Sequence, residues 1–376
     1  MKKEDITGTI AYLLILAFGA VFFFFVLRNH SGASGLGELY ILFNIGALAT
    51  GLVFNAILFE VAHVLGALVG GYSIKSVNIL RFCWKKDNGK VKFCFSSFDG
   101  LTGETKIVPK ENLKKQANPY PYLLFGSLFV VIEIIAIMIV FSMYKNENPP
   151  MGNVAYFLLT VGVVGLMIFI YNILPFQLDS MTDGYRLTKV SNPKNREAFN
   201  ELLKVDNDIS QGKYVEVKVF EEVTNYTADI NLNKAYARLN QGNFEEAEKI
   251  LDTIINSKEN VSYNVYIRAK AQKVYLHLIN GDIETIKDFY EKSVPVSERR
   301  AISEDCSMPC IRAYILMSGL LDKSRSECAI AINKVGKAYK KAPEITREVE
   351  KKLFNDALKK VNEAHPKWEF DKYYLE

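Results

Sequence analysis

The chain has 376 residues, 49% of them hydrophobic and 23% charged, and its 46 Lys and Arg outweigh 42 Asp and Glu for a formal net charge of +4. A mean hydropathy near zero hides a division, because residues 1–185 are apolar in blocks while 186–376 have the charge density of a soluble protein. The length allows two or three domains, and the asymmetry excludes one globular core drawn evenly from the whole chain.

Four stretches have the length, about 20 apolar residues, that a bilayer-crossing helix needs. The first, Thr7 to Leu27, is too long for a signal peptide and lacks a small-residue cleavage site. The second runs from Leu42 into Gly70 and contains Glu60 and His63, the third from Tyr122 to Met143 with Glu133 inside it, and the fourth from Val154 to Leu174. Ionisable residues at mid-membrane depth are costly, which marks Glu60 and His63 as functional candidates; Glu133 has no assigned role at this level.

Between the second and third stretches, residues 71–118 carry ten lysines and arginines, Lys75 to Lys115, whereas 28–38 hold only Arg28 and 144–151 only Lys145. The positive-inside rule then predicts a protein of the cell membrane with 71–118, the N-terminus and the whole C-terminal half cytoplasmic. The same rule accounts for these basic residues without a nucleic-acid partner. Within this segment VNILRFCWKK and KVKFCFSSF flank Asp87-Asn88-Gly89, a turn signal between two β-prone runs, which predicts a hairpin over about 73–98. An exposed strand edge beside a membrane site could take up an extended peptide by strand addition.

From Asn192 the pattern turns helical. An apolar helix, a glycine and a second amphipathic helix recur around Gly242, Gly281 and Gly319. The spacing exceeds that of a tetratricopeptide repeat but is of that type. We therefore expect a membrane domain over 1–187, a helical linker over 188–230, and a soluble α-solenoid of tetratricopeptide-like repeats over 231–376 that binds a protein partner. The fold class is mainly α: a polytopic membrane helical bundle with a small β-hairpin, plus the solenoid. Cys83, Cys94, Cys306, Cys310 and Cys328 form no disulfide framework and read as reduced cytosolic thiols.

The chemistry concentrates in two phrases. In Phe59-Glu60-Val-Ala-His63 the residues follow the HExxH arrangement of zinc proteases, in which two histidines one turn apart bind the metal and the glutamate is the base; the first histidine is replaced by Phe59. After the fourth stretch comes Asn172-Ile-Leu-Pro175, then Asp179, then Thr182-Asp183-Gly184. Together, over about residues 40–187, these resemble the site-2 proteases, the intramembrane zinc metalloproteases, whose NxxP…DG segment brings an aspartate to the metal. The resemblance implies His63 and Asp183 as zinc ligands, with Asp179 the weaker aspartate, Glu60 as general base, and Asn172 and Pro175 as substrate-positioning residues. The substrate would be a transmembrane or membrane-proximal peptide, cleaved within the bilayer and presented by the hairpin.

Phenylalanine cannot coordinate metal, and a catalytic zinc normally has three protein ligands and a water. With Phe59 in place only two are offered, unless Glu60 itself coordinates and ceases to be the base. The sequence therefore leaves two readings: an inactive or disabled metalloprotease homologue, or a non-catalytic membrane adaptor that binds transmembrane segments and, through its repeats, a cytosolic partner. A transporter or channel has little support, since no other stretch contains a pair of ionisable residues.

Overall fold

The computed structural model describes residues 3–33, 35–87, 90–95, 102–111, 115–147, 149–176, 181–211, 218–281, 283–342 and 344–375. The chain is mainly helical and divides into two compact units, 1–196 and 197–376.

Four helices of the first unit, α1 (Lys3–Ala33), α2 (Leu39–Val69), α3 (Pro119–Tyr144) and α4 (Pro149–Ile173), are long and apolar enough to cross a membrane. They are apolar on all sides, as expected of helices whose outer surface meets lipid. Leu14, Phe24, Leu42, Ile135 and Met143 are all more than half exposed on that surface. Small residues set the close packing inside. A Cβ on Gly51 would lie 3.1 Å from the Val161 Cα, and one on Gly66 would run into the Pro121 carbonyl. α2 lies at the centre, in contact with α1, α3 and α4. A short helix, α5 (Asp183–Val190), follows α4 and packs on α3 and α4.

Between α2 and α3 the chain forms a four-stranded antiparallel sheet, larger than the hairpin expected from the sequence. Its strands are β1 (Tyr72–Ile79), β2 (Phe82–Asp87), β3 (Lys90–Phe95) and β4 (Gly103–Pro109), in the spatial order β3-β2-β1-β4. The run VNILRFCWKK is broken by a turn at Leu80, whose φ of 56° is left-handed, so its first half belongs to β1 and its second to β2. β2 and β3 pair with Asp87 opposite Lys90, and the turn expected at Asn88-Gly89 lies outside the described residues. One face of this β2–β3 arm is apolar and exposed: Phe82, Trp84, Val91, Phe93 and Phe95. At the other end of the sheet, β4 packs on α2 with Thr105 and Ile107 buried, the period-2 pattern of a strand covered on one face.

The second unit carries most of α6 (Pro193–Ser210) and then α7 (Asn225–Asn240), α8 (Phe244–Asn256), α9 (Tyr263–Asn280), α10 (Ile283–Ser293), α11 (Val296–Glu304), α12 (Met308–Leu316), α13 (Arg325–Lys341) and α14 (Glu344–Ala364). The stretch expected to be a helical linker is helical only in part, since Val219–Thr224 is irregular with Phe220 buried. Gly242, with φ +75°, makes the α7–α8 turn and Gly281 the end of α9, as their positions in the repeated phrase suggest. Gly319 does not make a turn. It lies in a buried π-helical extension of α12, Met317–Leu321, where a Cβ would come within 2.7 Å of the Val361 side chain of α14. His365 contacts the Gly319 carbonyl through Nε2 at 2.8 Å.

α9 and α12 are the most enclosed helices, α9 touching α7, α8, α10, α11, α12 and α14. Buried in this core is the fully enclosed Arg312, paired with Glu350, hydrogen-bonded to Gln272 at 2.8 Å, and lying over the Tyr275 ring.

Candidate functional site

The two phrases picked out in the sequence meet within the first unit. Glu60 and His63 project from one face of α2, because residues three apart on a helix are neighbours. Asp183 is the first residue of α5. The preceding Thr182 caps that helix: its Oγ accepts from Tyr185 N at 3.2 Å and donates to the Leu174 carbonyl at 2.6 Å, tying the helix start to the end of α4. This bond is what carries Asp183 back to α2. Gly184 allows the approach, since a Cβ there would collide with the Ile173 carbonyl.

His63 Nε2 lies 3.0 Å from Asp183 Oδ2, joining residues 120 apart in sequence. The other ring nitrogen, Nδ1, faces Glu60 Oε2 at 3.7 Å, too far for a hydrogen bond. Glu60 Oε2 instead accepts from Thr105 Oγ1 of β4 at 2.7 Å, and the Thr105 carbonyl accepts from Tyr122 OH at 2.9 Å. All of these side chains are buried; Glu60, His63 and Asp183 are at most 5% exposed. They border a cavity of about 70 Å³, whose rim includes Gly103, Asn172 and Arg186.

Phe59 is 2% exposed, and its ring meets that of His63 edge-on, with centres 4.5 Å apart. It packs with Val130 and Ile168 and covers Gly126, where a Cβ would lie 2.7 Å from the ring. The position that holds a ligand in the HExxH arrangement is therefore filled by an apolar side chain in a core that fits it.

The remaining expected residues are placed differently. Asn172 borders the cavity, but its Nδ2 donates to the Ile168 carbonyl of its own helix at 3.0 Å. Pro175 is exposed in the break after α4. Asp179 lies outside the described residues. Glu133, unassigned from the sequence, turns inward toward α2 and α4: a Cβ on Gly165 would lie 3.2 Å from its Oε2 and 2.6 Å from Asn55 Oδ1.

Thr105 and Tyr122 are site residues to which the sequence assigns no role. The alternation along GETKIVP puts Thr105 and Ile107 on one face and was the available signal for the strand. Which helix that face would meet was not legible.

The donor set does not fit a three-ligand zinc. His63 offers one nitrogen to Asp183 and the opposite one to Glu60, so a single ion bound through either nitrogen could not also reach both carboxylates, and residue 59 adds nothing. Among the described residues, no group of three or more His, Cys, Asp or Glu side chains is arranged to hold a metal ion.

What the fold and site define is a mainly helical protein with four helices fit to span a membrane, a small antiparallel sheet at their end, and a buried carboxylate–imidazole–carboxylate cluster. No family model, no curated protein and no solved structure matches the chain.

Proposed function

We propose that this chain is a non-cleaving relative of the site-2 proteases, a membrane adaptor that binds transmembrane or membrane-proximal segments without hydrolysing them. The observation that carries this reading is the Phe59 ring, buried against His63 where the first ligand of an HExxH site would stand. Two contacts within the protein support it: Asp183 meets His63 Nε2 and Thr105 donates to Glu60, so the cluster ties α2 to α5 and β4, although His63 Nδ1 is buried without a hydrogen-bond partner.

In this reading the lysine-rich 71–118 segment faces the cytoplasm, as do both termini. The sheet, with its open strand edges and the exposed aromatic face of the β2–β3 arm, presents the bound segment to the cavity. The helices of 231–376 act as tetratricopeptide-like repeats that hold a cytosolic protein. No step of hydrolysis is assigned to Glu60, because the donors for zinc are incomplete.

The alternative, a metalloprotease disabled by one substitution, is favoured by one feature, the retention of Glu60, His63 and Asp183 around a common cavity. Zinc content and peptide cleavage, measured on the purified chain and on Phe59→His, test both. The adaptor reading expects neither protein to hold stoichiometric zinc or to cut a membrane-spanning peptide. Zinc gained by Phe59→His, lost again with Asp183→Asn and accompanied by cleavage, would show a disabled enzyme instead.

A further inference from the structure

The β2–β3 arm carries two of the five cysteines at directly opposed positions, Cys83 against Cys94. Directly opposed residues of antiparallel strands have Cα atoms about 4.5–5.5 Å apart, inside the window of roughly 4.4–6.8 Å that a disulfide spans. Both thiols are free. They differ in access: Cys83 is 4% exposed, whereas Cys94, on the edge strand, is open to solvent. Burial, together with the neighbouring Cys94, holds the Cys83 thiol above its ordinary range, so Cys94 is the group an incoming oxidant meets first.

We propose that Cys83 and Cys94 are a reversible thiol–disulfide site, oxidised by a small disulfide such as oxidised glutathione, and that the bond locks the edge strand β3 to β2. The Cys94 thiolate attacks one sulfur of oxidised glutathione, breaking its S–S bond, forming a mixed disulfide and releasing one glutathione thiolate. The Cys83 thiolate then attacks the Cys94 sulfur, forming the Cys83–Cys94 bond and expelling the second glutathione. Two protein thiols are oxidised, one disulfide is reduced to two glutathione thiols, and the two protons leave with them. Because β3 ends the sheet and, among the described residues, pairs with β2 alone, the cross-link fixes the register of the arm that carries the aromatic face.

The test uses the full chain in lipid vesicles, incubated with oxidised glutathione, then weighed before and after alkylation. The expected result is three alkylated cysteines instead of five, and, before alkylation, a mass lower by two hydrogens. Trypsin cleavage at the lysines between the two cysteines should release one linked peptide pair, and dithiothreitol should restore all the thiols. Cys94→Ser should leave Cys83 unoxidised, and Cys306→Ser should change nothing. A stable glutathione adduct on Cys94 with Cys83 still alkylated would overturn the proposal. So would Cys83–Cys94 pairing no more frequent in the folded chain than in the chain unfolded in urea, a comparison that needs no variant to fold.

Discussion

The ring of Phe59 stands edge-on to the imidazole of His63, centres 4.5 Å apart at 73°, one helical turn before it on α2. The contact joins an apolar core to a polar cluster, and the energetics of the first unit differ on its two sides.

On the apolar side, Phe59 fills a slot formed by Val130, Ile168 and the bare backbone of Gly126. Phe59→Ala should cost about 3–5 kcal/mol, the usual range for a large-to-small change at a buried aromatic. Thermal unfolding in detergent measures it. Gly126→Ala should also destabilise, by roughly 1–3 kcal/mol, because the added methyl overlaps the ring unless the ring moves. Pairing Gly126→Ala with Phe59→Leu, which withdraws the ring edge, should recover part of that loss.

On the polar side, Asp183 is the partner that anchors His63. Asp183→Ala leaves a buried imidazole without its acceptor and should cost about 1–3 kcal/mol. Asp183→Asn keeps a side-chain oxygen in reach of Nε2 and should cost less. The comparison is read as the difference in unfolding midpoints, and equal losses for the two variants would mean that the His63–Asp183 contact is not what holds α5.

In the second unit, Arg312 and Glu350 form a pair enclosed by Tyr275 and Tyr236. Arg312→Met alone strands the Glu350 carboxylate and should destabilise by about 3–5 kcal/mol, whereas the double change Arg312→Met with Glu350→Leu should be close to neutral. Hydrogen-exchange protection of α12 and α14 in the full chain is the measurement.

Asp229 on α7 is a pH-dependent element of the same unit. Burial raises its carboxyl from an ordinary 3.8 to about 7, against the pull of Arg268 and with some help from Asp206. A raised folded-state value means that the folded chain keeps a proton the unfolded chain gives up. The favourable contribution is complete below the unfolded value of 3.8 and is lost as pH climbs through about 7. Asp229→Asn should therefore have little effect near about pH 4 and raise the unfolding midpoint above about pH 8. A midpoint difference that does not change over that range would exclude the shift.

Much of the first unit was legible because the requirements of a bilayer-crossing helix impose a simple rule on sequence. A spanning helix must satisfy its backbone internally and be apolar over its length, so four spans stand out from composition alone. The pairing of β2 with β3 was legible for an equally local reason, since Asp-Asn-Gly favours a tight hairpin. β1 and β4 were not: their pairing joins residues about thirty apart and is held by a face that meets α2, and the break at Leu80 is a left-handed turn at a residue with no preference for one. Gly319 shows the opposite error. Its place in the repeated phrase suggested a turn, but the residue is small because α14 passes over it.

Periodicity, basic bias and the spacing of Phe59, Glu60 and His63 already determined four apolar helices, a change to charged helices near residue 190, and a candidate pair on one face of the second span. Only the tertiary structure decided that Asp183 bonds His63, that Thr105 from a strand edge occupies Glu60, and that Phe59 is core. Those outcomes depend on which surfaces meet across 45 to 120 residues of chain, and the balance of burial against unpaired polar groups that selects them is a property of the assembled pocket rather than of any segment.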